Sequence, residues 1–528
     1  MNTDLTTLSL SDLLRRAARL WPDQPAMIGE DRTWTWAELD TEVEQVAAML
    51  EDAGVGEGDA VGFLVVKRPE VAAGFLACAR IGAIHVPVNF KLHPDQIHDQ
   101  FVTANIKTIL TEPQFDTLVH LLLPILPDPR RIVYCDTTHS HGGPGAHGAI
   151  GKHGEGRWAH HTRYAGRRAA FQPTPDTVCY YNYTSGSTGR PKGAPTTSRN
   201  IVFNGVATAT GLGFRPDDVY LGMFSVFAHP HELFHRSVLY GGAFVVVDTL
   251  SPRNVADVIR AHNVTWMMAV PSFYEMLLDY MEGNEVPLPS LRVLEAGGAY
   301  VSAETLTRME AQFKARFLPV WGCTEATGVG LGMPADGPRK PGSTGKPIPG
   351  YEILVVSEDG RPADPGESGE LWIRGPGVVQ SYVNMPDETT SAFQNGWYAT
   401  SDLVSVDDEG FVFFSGRKSE MMKIGGIRVF PLEIEQVIAQ HPDVRDVVVV
   451  RAEERLRGEV PRAILAVRPG SNLTFRKVQG YCRERMAGYK VPRIVEFWAE
   501  IPKLPNGKID KKAVLARPVD PNRDERGT

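Results

Sequence analysis

Apolar and polar positions alternate between two periods along the first 120 residues. Leu39, Val43, Val46 and Leu50 recur at helical spacing. Ahead of them, Thr35-Trp36-Ala37-Glu38 has the form of a capping box, in which Thr35 and Glu38 satisfy each other's backbone N–H groups, and Gly54 supplies the stop. Residues 60–66 are a short apolar run suited to a buried strand, 69–81 predict a second helix and 85–88 a second strand. The alternation returns as strand 242–248, helix 255–262, strand 265–270 and helix 273–281. Such repetition predicts an α/β chain in which helices cover sheets with parallel pairs. Near the C-terminus, 431–440 and 475–486 predict helices, and 444–452, 462–467 and 494–498 predict strands. About 110 residues suffice for a separate small α+β core, so a boundary is expected within 416–426.

Composition narrows the class. In 528 residues, 42% are apolar and 22% charged, which suits a soluble globular protein and excludes fibrous or wholly disordered chains. A net charge of −8 argues against a general nucleic-acid binder. The N-terminus carries Asp4 and Asp12 without a basic-then-apolar leader, and the run 71–88 is broken by Arg80, His85 and Pro87, so no membrane span is expected. Cys78, Cys135, Cys179, Cys323 and Cys482 are scattered and form no CxxC, which fits reduced thiols and a cytoplasmic location. Fifty-one glycines and 39 prolines exceed average usage of roughly 12% combined, marking a loop-rich chain. Residues 137–156 hold His139, His141, His147 and His153 among closely spaced glycines, with no fixed ligand spacing; a surface insertion is expected there.

The most informative segment is Tyr183-Thr184-Ser185-Gly186-Ser187-Thr188-Gly189-Arg190-Pro191-Lys192-Gly193. Glycines let successive N–H groups face an anion, hydroxyls add donors and the lysine adds charge. No GxxxxGK[ST] frame fits, so it is not a Walker A loop. A flexible linker is disfavoured, because the segment follows a β-rich run and ends in Pro-Lys-Gly.

This loop resembles the signature of the adenylate-forming superfamily, which includes acyl- and aryl-CoA synthetases, peptide-synthetase adenylation domains and firefly-type luciferases. The resemblance extends from the helix near residue 35 to the Pro-Asn-Gly-Lys-Ile-Asp-Lys segment near residue 510. It implies a large N-terminal domain (1–418) of packed mixed α/β sheets and a distorted barrel. A small mobile α+β C-terminal domain (419–528) follows. The implied chemistry has two steps: a carboxylate attacks the α-phosphate of ATP, releasing pyrophosphate, and a thiol then displaces AMP. Bringing an anion against a polyanion calls for Mg²⁺, cations and positioning.

By the same resemblance, Thr184, Ser185, Gly186, Ser187, Thr188, Gly189 and Lys192 cradle the phosphates. Trp321-Gly322-Cys323-Thr324-Glu325 matches the aromatic-Gly-x-Thr-Glu motif: Trp321 and Gly322 lie at the nucleotide, Thr324 contacts the α-phosphate, and Glu325 with Thr184 holds Mg²⁺. Gly297, Gly298 and Ala299 form the adenine-facing strand end. Asp402, in Tyr398-Ala399-Thr400-Ser401-Asp402, accepts from the ribose hydroxyls, with Ser401 where glycine is usual; Arg417 also touches the ribose. Lys508 bridges carboxylate and phosphate during adenylation. Ser419, where Asp or Lys is usual, is the hinge, and Gly425 and Gly426 line the CoA channel.

For the acid, Phe227, Ala228 and His229 fall in the pocket region, with His231 beside them, and Ala228 argues against an α-amino acid. The same cluster also reads as a helix start without substrate contact. Gly328, Gly330 and Gly332 are expected to leave room beside the pocket. The expected partners are a small carboxylic acid, ATP and CoA. A stand-alone enzyme loading a carrier protein, luciferase-type chemistry, an inactive nucleotide-binding homologue and a homodimer all stay open.

Overall fold

The computed structural model describes residues 4–30, 32–123, 131–134, 154–184, 191–248, 251–297, 303–424, 427–454, 458–503 and 509–519. They fall in two compact units. The first comprises Met1–Arg339, Gly345–Glu352 and Ile373–Tyr398; the second comprises Lys340–Thr344, Ile353–Trp372 and Ala399–Thr528.

Two mostly parallel sheets build the first unit. In one, seven strands run in the order Gly154–Arg157, Arg131–Tyr134, Ile106–Thr111, Ala60–Leu64, Ile84–Pro87, Val178–Thr184, Lys192–Thr197. All its pairs are parallel except the last, a hairpin. The other sheet has nine strands, with a parallel centre that includes Val219–Gly222, Trp266–Ala269, Val293–Ala296 and Arg316–Cys323. The α/β expectation is met, and the helices form for local reasons. Thr35 caps Trp36–Asp52 by accepting from Glu38 N, and Glu38 accepts back from Thr35 N at 2.8 Å. Pro69–Ile81 begins on a proline, ends on Gly82 at φ +73°, and buries Val71 through Ile81 on every side. Arg80 is buried there with partners, since Asp40 and Glu44 each meet its guanidinium at 2.6 Å.

In the second unit, Val444–Glu454 and Gly458–Val467 form a long antiparallel pair, with Ile494–Phe497 added in parallel. Pro431–Ala439 and Phe475–Arg483 cover this sheet through Ile434, Ile438, Val478 and Cys482. Residue 418, the expected end of the large domain, lies inside the second unit. There Val412–Arg417 pairs with Asp402–Val406, and Val412 O accepts from Ser343 and Thr344, in a sheet separate from that of Val444–Glu454 and Gly458–Val467. The insertion histidines 139, 141, 147 and 153 lie outside the described residues, and Gly154–Arg157, which overlaps the insertion's end, is an edge strand of the seven-stranded sheet.

Candidate active site

The phosphate-loop motif is carried by a β-hairpin. Tyr183 lies opposite Gly193 and Thr184 opposite Lys192, so both arms of the loop leave one ladder. Ser185, Gly186, Ser187, Thr188 and Gly189 lie outside the described residues. Gly193 is required by crowding, since a Cβ there would lie 2.9 Å from the Tyr183 ring. Its carbonyl accepts from Val383 N at 2.8 Å.

Strand Arg316–Cys323 delivers the second motif, which turns through a 3₁₀ segment at Thr324–Ala326. Gly322 permits this turn; a Cβ would sit 2.3 Å from Gly328 O. Thr327 then takes φ +58°, an uncommon value for a β-branched residue. Three contacts hold it: its hydroxyl donates to Gly377 O at 2.7 Å, its N–H to Thr324 O at 3.0 Å, and its carbonyl accepts from His231 Nε2 at 3.1 Å. Glu325 is consequently buried with its carboxylate fixed, Oε1 accepting from Tyr382 OH at 2.6 Å. Lys192 Nζ lies 5.1 Å from the centroid of the same tyrosine ring, within cation–π range. The first unit thus gathers Lys192 and Glu325 about one side chain. Mg²⁺ takes hard oxygen donors and is commonly bound through one carboxylate plus substrate phosphates. Buried Glu325 fits that role, and among the described residues no group of three or more His, Cys, Asp or Glu forms a self-sufficient metal site.

Trp321 is buried, against Gly330. The three glycines expected to leave space do not. A Cβ on Gly330 would meet Ile373 at 2.7 Å, one on Gly332 would meet Leu212 at 2.6 Å, and Gly328 stands at φ +119° beside Asn204 and Glu232. Neighbouring side chains already fill the volume that these residues release.

In the acid-pocket segment, Tyr180 OH anchors Ala228 O at 3.0 Å, and Asn182 Nδ2 donates to His229 Nδ1 at 3.3 Å. Phe227 stands edge-on to Phe90, centroids 5.7 Å apart. His231 turns the other way, fully buried onto Thr327, and burial holds it neutral. Below lies a charged knot that motif reading missed. Arg236 pairs with Glu295 through two contacts of 2.5 and 3.0 Å, both side chains at 0% exposure, and Trp266 Nε1 donates to Glu295 at 2.8 Å. Glu295 lies in the strand Val293–Ala296 that leads to Gly297; Gly298 and Ala299 lie outside the described residues. A Cβ on Gly297 would press Val320 at 3.2 Å.

The second unit holds the remaining motifs. Asp402 and Arg417 face each other across an antiparallel pair, with Arg417 Nε 3.0 Å from Asp402 Oδ1. Ser401, within strand Trp397–Val406, adopts φ +61°, a left-handed backbone that glycine takes without a Cβ penalty, and its N–H donates to Glu370 at 3.1 Å. Ser419 is exposed within the 3₁₀ turn Lys418–Glu420. Gly425 and Gly426 lie outside the described residues, between the paired Ile424 and Ile427; Lys508 also lies outside, next to Ile509, which bridges to Lys503. Among the described residues no helix is long and apolar enough to cross a membrane.

Comparison with known proteins adds a second line. A model of the AMP-binding enzyme matches residues 14–383, and one of the AMP-binding enzyme C-terminal domain matches 433–508. An indoleacetate–CoA ligase of Aromatoleum aromaticum (strain DSM 19018 / LMG 30748 / EbN1) is 29% identical, over 96% of this chain and 98% of its own. The crystal structure of an anthranilate CoA ligase in complex with anthranoyl-AMP superposes with a TM-score of 0.88 at 26% identity, covering 97% of each chain. The o-succinylbenzoate coenzyme A synthetase of Bacillus subtilis, in complex with ATP and magnesium ion, superposes at 0.81 with 28% identity, over 94% of this chain and 98% of that one.

Proposed function

The chain belongs to the AMP-binding enzyme family, and on that premise we propose that it is an ATP-dependent ligase joining an aromatic carboxylic acid to the thiol of coenzyme A through an acyl-adenylate. The observation that carries the reading is the convergence of Lys192 and buried Glu325 on Tyr382, from two motifs far apart in sequence.

In this reading the carboxylate oxygen bonds the α-phosphorus and pyrophosphate leaves; the thiolate sulfur then bonds the acyl carbon and AMP leaves. Lys192, Thr184 and the loop 185–189 cradle the phosphates, and Thr324 takes the α-phosphate. Glu325, with Thr184, holds Mg²⁺, which supplies charge neutralisation of the triphosphate when bound. Trp321, Gly322, Gly297, Gly298 and Ala299 frame the adenine, while Asp402 and Arg417 accept and donate at the ribose. Lys508 supplies the cation for the first step, Ser419 is the hinge and Gly425 with Gly426 admits the thiol arm. The proposed domain boundary is at 418/419.

An aromatic acid is favoured by the Phe90–Phe227 edge contact. Beside it the Asn182–His229 pair offers hydrogen bonds to a polar ring substituent. The names of the relatives, for indoleacetate, anthranilate and o-succinylbenzoate, point the same way. The test is ATP–pyrophosphate exchange over a panel of aromatic, fatty and short dicarboxylic acids. Thioester formation with CoA and with a phosphopantetheinylated carrier protein is then compared. Exchange with aromatic acids and thioester on CoA is expected. Thioester on the carrier alone, or exchange confined to fatty acids, would overturn the corresponding part.

A further inference from the structure

Tyr382 lies in neither motif, yet its surroundings are built from both. The short segment around it is pinned at two points: Val379 N donates to Glu325 O at 2.9 Å, and Val383 N donates to Gly193 O at 2.8 Å. Between those pins, the hydroxyl reaches the Glu325 carboxylate at 2.6 Å and the ring face lies 5.1 Å from Lys192 Nζ. A second tyrosine, Tyr398, lies with its hydroxyl beside that of Tyr382. The phenol proton of Tyr382 goes to Glu325. Phe393 packs on both rings, at 5.3 and 5.1 Å between centroids.

An ammonium and a buried carboxylate this close would ordinarily pair with one another. No ion pair joins Lys192 to Glu325 among the described residues; the tyrosine stands between them, bonding the anion with its hydroxyl and the cation with its π face. We propose that Tyr382 is a positioning residue that keeps Glu325 and Lys192 apart and aimed, so that the carboxylate is available to a divalent cation and the ammonium to the anionic phosphates. Oε1 stays with Tyr382, which leaves Oε2 for the metal. The inference rests on the reading of this site as one for a metal–nucleoside triphosphate.

The experiment compares Tyr382→Phe, which keeps the ring and loses the hydroxyl, with Tyr382→Leu, which loses both. Full-length protein is titrated calorimetrically with ATP at increasing Mg²⁺, with inorganic pyrophosphate in EDTA, and with AMP in EDTA. Tyr382→Phe is expected to raise the Mg²⁺ concentration for half-maximal enhancement of ATP binding about tenfold, as for one lost hydrogen bond to a charged group. It should leave pyrophosphate and AMP affinity in EDTA within about twofold. Tyr382→Leu should additionally weaken pyrophosphate in EDTA about tenfold, as Lys192 swings onto Glu325. In a Glu325→Gln background the Mg²⁺ effect of Tyr382→Phe should vanish, because the two act through one contact.

Unchanged Mg²⁺ dependence in Tyr382→Phe overturns the proposal. So does an effect that persists undiminished in Glu325→Gln, equal weakening of all three ligands, or a wild-type protein without any Mg²⁺ dependence. If the wild type shows the expected binding pattern but no acid supports pyrophosphate exchange, the ligase reading fails while the positioning role stands.

Discussion

His85 provides a sharp test of the first unit's core. It sits on a central strand of the seven-stranded sheet, paired with Val61 on one side and Tyr180 on the other. Its ring is packed against Phe63 at 4.0 Å and Phe75 at 4.7 Å, and burial dominates its surroundings. Burial pushes its pKa down to about 3 from the model-peptide value of 6.5. Between those values the unfolded chain holds one more proton than the folded one, so stability falls as pH drops through 6.5 and the loss stops growing near pH 3. At pH 5, about 1.5 pH units below the unfolded value, the cost is about 2 kcal/mol. His85→Phe removes it.

The measurement is urea unfolding of wild type and His85→Phe at pH 8 and pH 5. Fluorescence of Trp34, Trp36 and Trp266, all buried in the first unit, reports the transition. The stability difference between the proteins should shift by about 2 kcal/mol towards the variant on going to pH 5. Any packing change from a phenyl ring is independent of pH and cancels in that comparison. His231 and His235, which burial also holds neutral, titrate alike in both proteins. A difference that stays constant with pH would refute the argument.

Three further outcomes are expected. Arg236→Met leaves Glu295 buried without its partner and should cost about 3–5 kcal/mol in chemical denaturation; adding Glu295→Gln should recover much of it, and equal losses in both proteins would count against the pair. Ser401→Gly relieves φ +61° and should raise the stability of the second unit by about 1 kcal/mol, read from its thermal transition, with no gain arguing against strain there. Lys508→Ala should abolish ATP–pyrophosphate exchange while thioester formation from supplied acyl-adenylate survives; equal loss of both steps would remove Lys508 from the first step alone.

Local signals made much of this chain readable. A capping box and a leading proline set the helices Trp36–Asp52 and Pro69–Ile81, since both devices act within a few residues. The strand before the phosphate loop was legible from its β-rich run, and Pro191-Lys192-Gly193 marked its return. Tyr382 was not legible because its partner Glu325 is 57 positions away, and only tertiary packing joins them. Gly328, Gly330 and Gly332 misled for a related reason: a glycine announces a missing side chain, while the residue that fills the gap comes from elsewhere, here Ile373 and Leu212. His231 shows the same limit, since nothing local says that its Nε2 is committed to Thr327 O, 96 positions away.

The hairpin beneath the phosphate loop carries one more consequence, for engineering. Alternate residues of a strand face opposite sides, so which side Lys192 serves is a matter of parity. With Thr184 opposite Lys192, adding or removing residues between them changes the length of the loop but not the side on which the ammonium emerges. A single residue inserted within Lys192–Thr197 that slips the pairing by one would instead hand the lysine's place to a neighbour and send it to the far face. Loop grafts into this protein therefore have wide latitude in length and almost none in register.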